Sequence, residues 1–235
     1  PFHSADSYIG RLIEKGFKVA ICEQMEDPAQ AKGLVRRDVV RVITPGTVIE
    51  STLLPEQKNN YLCSLYVGSN EFGLCFADIS TATVFATVLD GADAEDRLLA
   101  ELGTYAPREI LCNLKRANMG DVGEFVTSHR DMMLTDGQHA RFDAAIAREL
   151  VKNQFGDTLR AEVLEDKALV SAVGAVLSYL IDTEKSDLSY IKELNVYSDG
   201  QYLEMDINSR RNLELTESMR TKEKKGSPDS YKDLL

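Results

Sequence analysis

The chain has 235 residues, is 43% apolar and 28% charged, and carries a formal net charge of −11. That length is enough for one large or two ordinary domains with real cores, and no apolar run approaches the ~20 residues that a membrane-spanning helix needs. No signal peptide is expected, and the chain opens on Pro1-Phe2-His3 without an initiator Met, so it reads as a piece of something longer.

The charge is unevenly placed. Residues 1–50 carry seven basic and seven acidic groups, residues 201–235 again seven of each, and residues 51–200 carry 13 basic and 24 acidic groups. A surface that grips DNA phosphates needs clustered Lys and Arg, so the middle of the chain is not expected to hold DNA. The four cysteines (Cys22, Cys63, Cys75, Cys112) form no Cys-x-x-Cys pair, and the three histidines lack zinc-ligand spacing. Cys22, Cys63 and Cys75 lie in apolar, strand-like runs and are expected to be buried, reduced thiols of a cytosolic protein.

In chain order, Ser4 to Lys15 predicts a helix capped by Ser4, with Tyr8, Leu12 and Ile13 as its apolar stripe and Gly16 as its stop. Val19 to Cys22 predicts a buried strand. Asp27-Pro28 opens a helix, with a capping carboxylate and a proline fit for the first helical position, and Gly33 ends it. Val39, Val40, Val42 and Ile43 predict a second strand, stopped by the turn Thr44-Pro45-Gly46. Glu50 to Asn60 is polar, contains Pro55 and reads as a linker.

From Tyr61 the pattern changes. Three short β-rich runs, Tyr61–Tyr66, Phe72–Ile79 and Ala82–Leu89, are separated by tight turns and predict an antiparallel meander. A helix over Asp93–Leu102, with Leu98, Leu99 and Leu102 on one side, ends at Gly103, and a fourth strand follows over Pro107–Cys112. Residues 113–141 read as irregular, with Met132-Met133-Leu134 as a fifth strand. His129 and His139 flank that strand without a partner motif, so they read as surface or packing residues. Phe142–Phe155 predicts a helix, its turn started near Asp136 or Gly137 and its buried stripe Phe142, Ile146 and Leu150. Arg148, Glu149 and Lys152 then face outward. Lys167–Tyr190 predicts a longer helix with apolar residues on more than one face, hence buried on two sides. Tyr202–Met205 reads as extended, and Asp206 or Asn208 caps a helix running through Arg220.

The residue choices carry a further signal. Ala20-Ile21-Cys22-Glu23-Gln24, Asp27-Pro28, Lys32-Gly33, the basic Arg37 shortly before Val39-Val40-Arg41, and Thr44-Pro45-Gly46-Thr47 closely resemble the end of the mismatch-recognition domain of the bacterial MutS DNA mismatch repair family. Three later stretches are similar to that family's text: the E-x-x-N-N of Glu56–Asn60, the G-L-x-x-x-D-I-S-T of Gly73–Thr81 and the P-x-E-I-L of Pro107–Leu111. So is the MDINSRRNLELTES beginning at Met205, which resembles the start of the family's core or lever domain; from Pro228 the text departs from the pattern.

The resemblance implies four parts. Residues 1–49 are the end of a mismatch-recognition domain, 50–60 a linker, 61–185 an RNase H-like connector, and 186–235 the start of the core. The expected fold class is α/β, a mixed sheet with an antiparallel meander and flanking helices. The family's Phe-x-Glu mismatch reader occurs nowhere in the chain, and neither does a G-x-x-x-x-G-K-[ST] phosphate loop. The segment is therefore expected to be non-catalytic and without a cofactor or metal of its own, ATP and Mg²⁺ being bound elsewhere in a full-length family member. Implied partners are MutL, mismatched duplex DNA and a second MutS copy. Candidate residues for MutL are Arg148, Glu149 and Lys152, and for DNA backbone Lys32, Arg36, Arg37 and Arg41, a basic cluster whose plainer reading is a solvated loop. The alternative is an RNase H-like nuclease in which Asp78, with Glu95, Glu101 or Asp143, holds metal ions; Asp78 before Ile-Ser-Thr also fits a turn residue bonding its own backbone. A purely structural spacer is the third reading.

Overall fold

The computed structural model describes residues 5–27, 33–49, 59–156 and 159–198. Residues 28–32 of the predicted helix that Asp27-Pro28 opens, most of the linker, and everything predicted beyond residue 198 lie outside the described residues, as do Ser4 and the departure at Pro228.

The N-terminal region is slight. Helix α1 (Ala5–Glu14) covers one face of a two-stranded antiparallel ribbon of β1 (Val19–Gln24) and β2 (Arg37–Ile43). Its own core is small: Ile9 and Ile13 of α1 with Ile43 and Val48, and Val19 and Ile21 half-buried beside them. The helix thus buries Ile9 and Ile13, one turn apart, while the expected stripe residues Tyr8 and Leu12 are exposed. The expectation of a buried strand at Val19–Cys22 is also corrected. A ribbon covered on one face alternates, so Ala20 and Cys22 are exposed, and Cys22 is not the buried thiol expected.

The second region is built around a six-stranded mixed sheet. The meander β3 (Tyr61–Val67), β4 (Glu71–Asp78) and β5 (Thr83–Asp90) forms its centre. Strand β6 (Glu109–Cys112) joins parallel to β3 after helix α2 (Ala94–Tyr105). Helix α3 (Gly120–Ser128) leads to β7 (Met133–Thr135), parallel to β6. Then come helices α4 (Ala144–Phe155), α5 (Ala161–Glu165) and α6 (Lys167–Glu184), and β8 (Asn195–Val196), parallel to β5. Successive side chains leave a strand on opposite faces. Leu62, Cys75, Ala77 and Leu111 accordingly pack under α4–α6, whereas Cys63, Leu65, Leu74, Phe76, Ile110 and Cys112 pack under α2 and α3.

Several expectations are corrected here, each for a local reason. Helix α2 runs through Gly103 to Tyr105, because the Tyr105 ring stacks on Phe76 at 4.2 Å and meets Tyr61 edge-on at 5.3 Å. Residues 113–141 are not irregular throughout: α3 forms despite two glycines because Val122 and Val126 are buried under the sheet. Helix α4 starts at Asp143, whose Oδ1 accepts from the N–H groups of Ala145 (3.0 Å) and Ile146 (3.1 Å), not near Asp136 or Gly137. Phe142 therefore precedes the helix and cannot head its stripe. The buried stripe is Ala147, Val151 and Phe155, Leu150 is half-buried, and Ile146 is 59% exposed.

Helix α6 ends at Glu184, where Lys185 adopts a left-handed φ of 54°, short of the predicted Tyr190. It is the central element, with 13 of its residues buried between the sheet and α4. Its approach to α4 needs Gly174, since a Cβ there would lie 2.3 Å from the Ala147 Cβ. The chain beyond it stays with the connector. Leu188 and Ile191 are buried, their carbonyls accept from Gln154 Nε2 (2.9 and 2.7 Å), and the Tyr197 hydroxyl donates to Glu101 (2.6 Å). Residues 188–197 thus pack with the six-stranded sheet and its helices.

Candidate functional site: the junction between the two regions

A cluster of buried polar residues, Thr44, Thr47, Asn60 and Glu109, lies where the N-terminal region meets the sheet. Glu109 opens β6 and is fully buried. On the period-two pattern it shares the α6 face with Leu111, but at the strand end, where a turn of the N-terminal region seats instead of helix. That turn is Thr44-Pro45-Gly46-Thr47, all four residues buried. It is closed by Thr47 N–H to Thr44 O (3.0 Å) and by Thr44 N–H to Thr47 Oγ1 (3.0 Å).

Five donors converge on the Glu109 carboxylate. Oε2 accepts from Thr44 Oγ1 (2.5 Å) and Gly46 N–H (3.2 Å). Oε1 accepts from the Tyr179 hydroxyl (2.6 Å) and Thr135 Oγ1 (3.1 Å) and pairs with Lys18 Nζ (3.0 Å). Lys18 also donates to the Tyr179 hydroxyl (2.8 Å) and Thr135 Oγ1 (3.1 Å), and sits 5.1 Å from the Tyr179 ring centre, while the Arg141 guanidinium lies 5.3 Å from it. Burial, then the Glu109 charge and the hydrogen bond to it, push the Tyr179 phenol well above its ordinary pKa, so it remains a donor. A buried carboxylate is costly unless its lone pairs are met; here they are met jointly by β7, α6, Lys18 and the turn. Gly46 permits the approach, since a Cβ would stand 2.9 Å from the Glu109 Cβ and 3.0 Å from Leu62 Cδ1.

Two further ties flank this node. Asn60 Nδ2 donates to the carbonyls of Pro45 (3.0 Å) and Val48 (3.3 Å), and Asn60 N–H donates to Asp78 Oδ2 (3.3 Å). Asn60, expected to close a linker, is buried and clamps the turn. On the other side, Arg41 Nε pairs with Glu184 at 3.1 Å and Nη2 donates to Thr47 O at 3.1 Å. The Tyr190 hydroxyl near this pair is pushed up to about 12, by burial first and by Glu184 next.

The sequence-predicted site residues are not brought together. Arg41 is turned inward to Glu184, whereas Arg36 and Arg37 are exposed and Arg36 stands 3.7 Å from Asp38. Arg148, Glu149 and Lys152 are exposed on α4, as is Ile146, which has Glu149 as its neighbour one turn on. The oxygens of Asp78 face inward: Oδ1 accepts from Ser80 N–H (3.0 Å) and Oγ (2.6 Å), the turn bond that the sequence suggests. The suggested metal companions are elsewhere engaged or exposed, with Glu101 on Tyr197, Asp143 capping α4 and Glu95 in solvent. No group of three His, Cys, Asp or Glu among the described residues is placed to hold a metal ion. His129 Nδ1 meets Phe125 O at 2.8 Å, a packing contact, and His139 is exposed. Among the described residues, no helix is long and apolar enough to cross a membrane. Sequence reasoning missed Lys18, Glu109, Tyr179 and Glu184. The signal for one of them was a carboxylate at the start of a short apolar strand, where a buried Glu needs partners.

The fold and the junction together define an RNase H-like connector with the end of a preceding domain seated on it. The family model of MutS domain I matches residues 1–52, and that of MutS domain II matches residues 60–192. The DNA mismatch repair protein MutS of Ruminiclostridium cellulolyticum is 43% identical over 227 residues, that of Acetivibrio thermocellus 43% over 230, and that of Caldanaerobacter subterraneus 40% over 234. Each match covers 97% of this chain and 26% of the relative, so the chain spans about a quarter of the length of these relatives. The chain belongs to the MutS family of DNA mismatch repair proteins.

Proposed function

We propose that this segment is the mechanical connection of a MutS protein, carrying the state of the mismatch-recognition domain to the rest of the molecule, ATPase included, and offering a docking surface to MutL. The observation that carries the connection is the fully buried Glu109, which takes donors from both regions at once. A buried carboxylate shared by two regions orients one on the other, because moving either strips partners from a charge. The MutL surface is the outer side of α4, where Arg148, Glu149 and Lys152 are exposed and Ile146, one turn before Glu149, is an exposed apolar side chain. DNA-backbone contact falls to Arg36 and Arg37, and to Lys32, which lies outside the described residues; Arg41 is given to Glu184. ATP, Mg²⁺, the mismatched duplex and the second MutS copy are engaged by the full-length protein in the cytoplasm, and this segment hydrolyses nothing.

Capture by immobilised MutL tests the docking surface. The double variant Arg148→Glu, Glu149→Lys is expected to bind more weakly, mainly through a slower association that depends on salt, with circular dichroism unchanged. Equal capture of both proteins at low and physiological salt rejects this face as the site.

A further inference from the structure

The partners of Glu109 divide in a way that suits a switch. Thr44 Oγ1, Gly46 N–H and Lys18 Nζ belong to the N-terminal region, whereas Thr135 Oγ1 and the Tyr179 hydroxyl belong to the connector. Lifting the N-terminal region removes the first three and leaves the other two in place. The carboxylate would then keep two hydroxyl donors and gain water, so opening does not strand a bare charge. The Arg41–Glu184 pair, at 3.1 Å, also crosses the boundary.

We propose that Glu109 is the centre of a releasable latch, with a closed state in which Lys18 and the 44–47 turn complete its coordination and an open state in which Thr135 and Tyr179 alone retain it. The latch deepens the connection proposed above and owes nothing to the MutL surface. Failed MutL capture would leave it standing, and failure of the latch would leave MutL capture untouched. Glu109 and Lys18 act as positioning residues: they set how the two regions lie, not how either folds. The two oxygens have distinct duties. Oε2 receives the turn, and Oε1 receives Lys18 with the two retained hydroxyls. An amide at position 109 presents an NH2 group to donors on at least one side. A hydroxyl can rotate to accept from it, but the ammonium of Lys18 and the N–H of Gly46 cannot.

The test is a pulsed electron-resonance distance measurement on the 235-residue chain. One label goes on Cys22, the single exposed native thiol, and the other on the exposed face of α4 through Asn153→Cys. Glu109→Gln and Lys18→Met are compared with the parent, and amide exchange in β3 and β4 reports connector integrity. The latch predicts one dominant distance in the parent. In each variant at least a threefold larger share of a second, separated distance should appear, with β3 and β4 protection unchanged. Lys18 lies on the N-terminal region, outside the connector core, so Lys18→Met decides the matter if Glu109→Gln fails to fold. An unaltered distribution in Lys18→Met overturns the proposal, and so does loss of β3 and β4 protection in that variant, which would make the node a core contact of the connector.

Discussion

The connector and the N-terminal region differ in what holds each in shape. The connector has two cores, one on each face of its sheet, with Leu62, Leu65, Leu74, Phe76, Leu98, Leu177 and Leu180 fully buried. The N-terminal region buries Ile9, Ile13, Ile43 and Val48, and leaves Tyr8, Leu12, Phe17, Met25 and Leu34 exposed. A two-stranded ribbon under one helix has little apolar area with which to offset chain entropy. Its best-buried stretch, the 44–47 turn, is buried against the connector. The connector is held by apolar packing on both faces of its sheet, whereas the N-terminal region has a small core of its own and meets the connector at a polar junction.

The largest expected contrast is chemical. Cys22 is exposed on the ribbon, while Cys63, Cys75 and Cys112 are buried in the connector, and burial pushes the Cys112 thiol up to about 11. Thiolate is the reactive form. With Ellman's reagent at pH 8, one thiol of four should react promptly. The other three should be slower by about a thousandfold or more, since they await opening of the fold. Prompt reaction of two or more would mean that the connector is as open as the ribbon.

Next comes the connector core. Phe155→Ala should cost about 3 kcal/mol in urea unfolding, because Phe155 is 3% exposed at the end of the true α4 stripe. At the junction, Gly46→Val should cost about 2 kcal/mol through overpacking against Glu109 and Leu62. Its signature should be local, with amide exchange faster across 37–49 and unchanged in β3 and β4. Smallest of all, Ile146→Ser should change stability by no more than about 0.5 kcal/mol. A large loss there would restore the stripe that the periodicity suggested.

Much of the connector was legible in its sequence because strands with two covered faces read as continuous apolar runs, and Leu62 to Leu65 or Leu74 to Ala77 can hardly be anything else. The α4 stripe differs from the expected one for one reason: the cap lies at Asp143, one residue after Phe142, whereas counting from Phe142 puts Ile146 inside. Periodicity cannot fix phase without the start of the helix. The turn Thr44-Pro45-Gly46-Thr47 and the strand carrying Glu109 were each recognised, and both belong to text shared with the family. Nothing in either stretch says that they touch. Sixty-three residues separate Gly46 from Glu109, and pairing at that range is a property of the folded sheet. Strand β8 escapes the sequence reading for a similar reason, since a two-residue strand has no period to detect.

A double-mutant cycle on Lys18 and Glu109 tests the claim that a polar junction joins the two regions most directly. The parent, Lys18→Met, Glu109→Gln and the double variant would be unfolded in urea, with amide exchange across 37–49 as a second readout. Residues that share one buried network couple by about 0.5–3 kcal/mol. The junction predicts coupling of at least about 1 kcal/mol, with the double variant little worse than the more damaging single one. Strictly additive costs would mean that Lys18 and Glu109 act independently and that the two regions are not joined through this carboxylate.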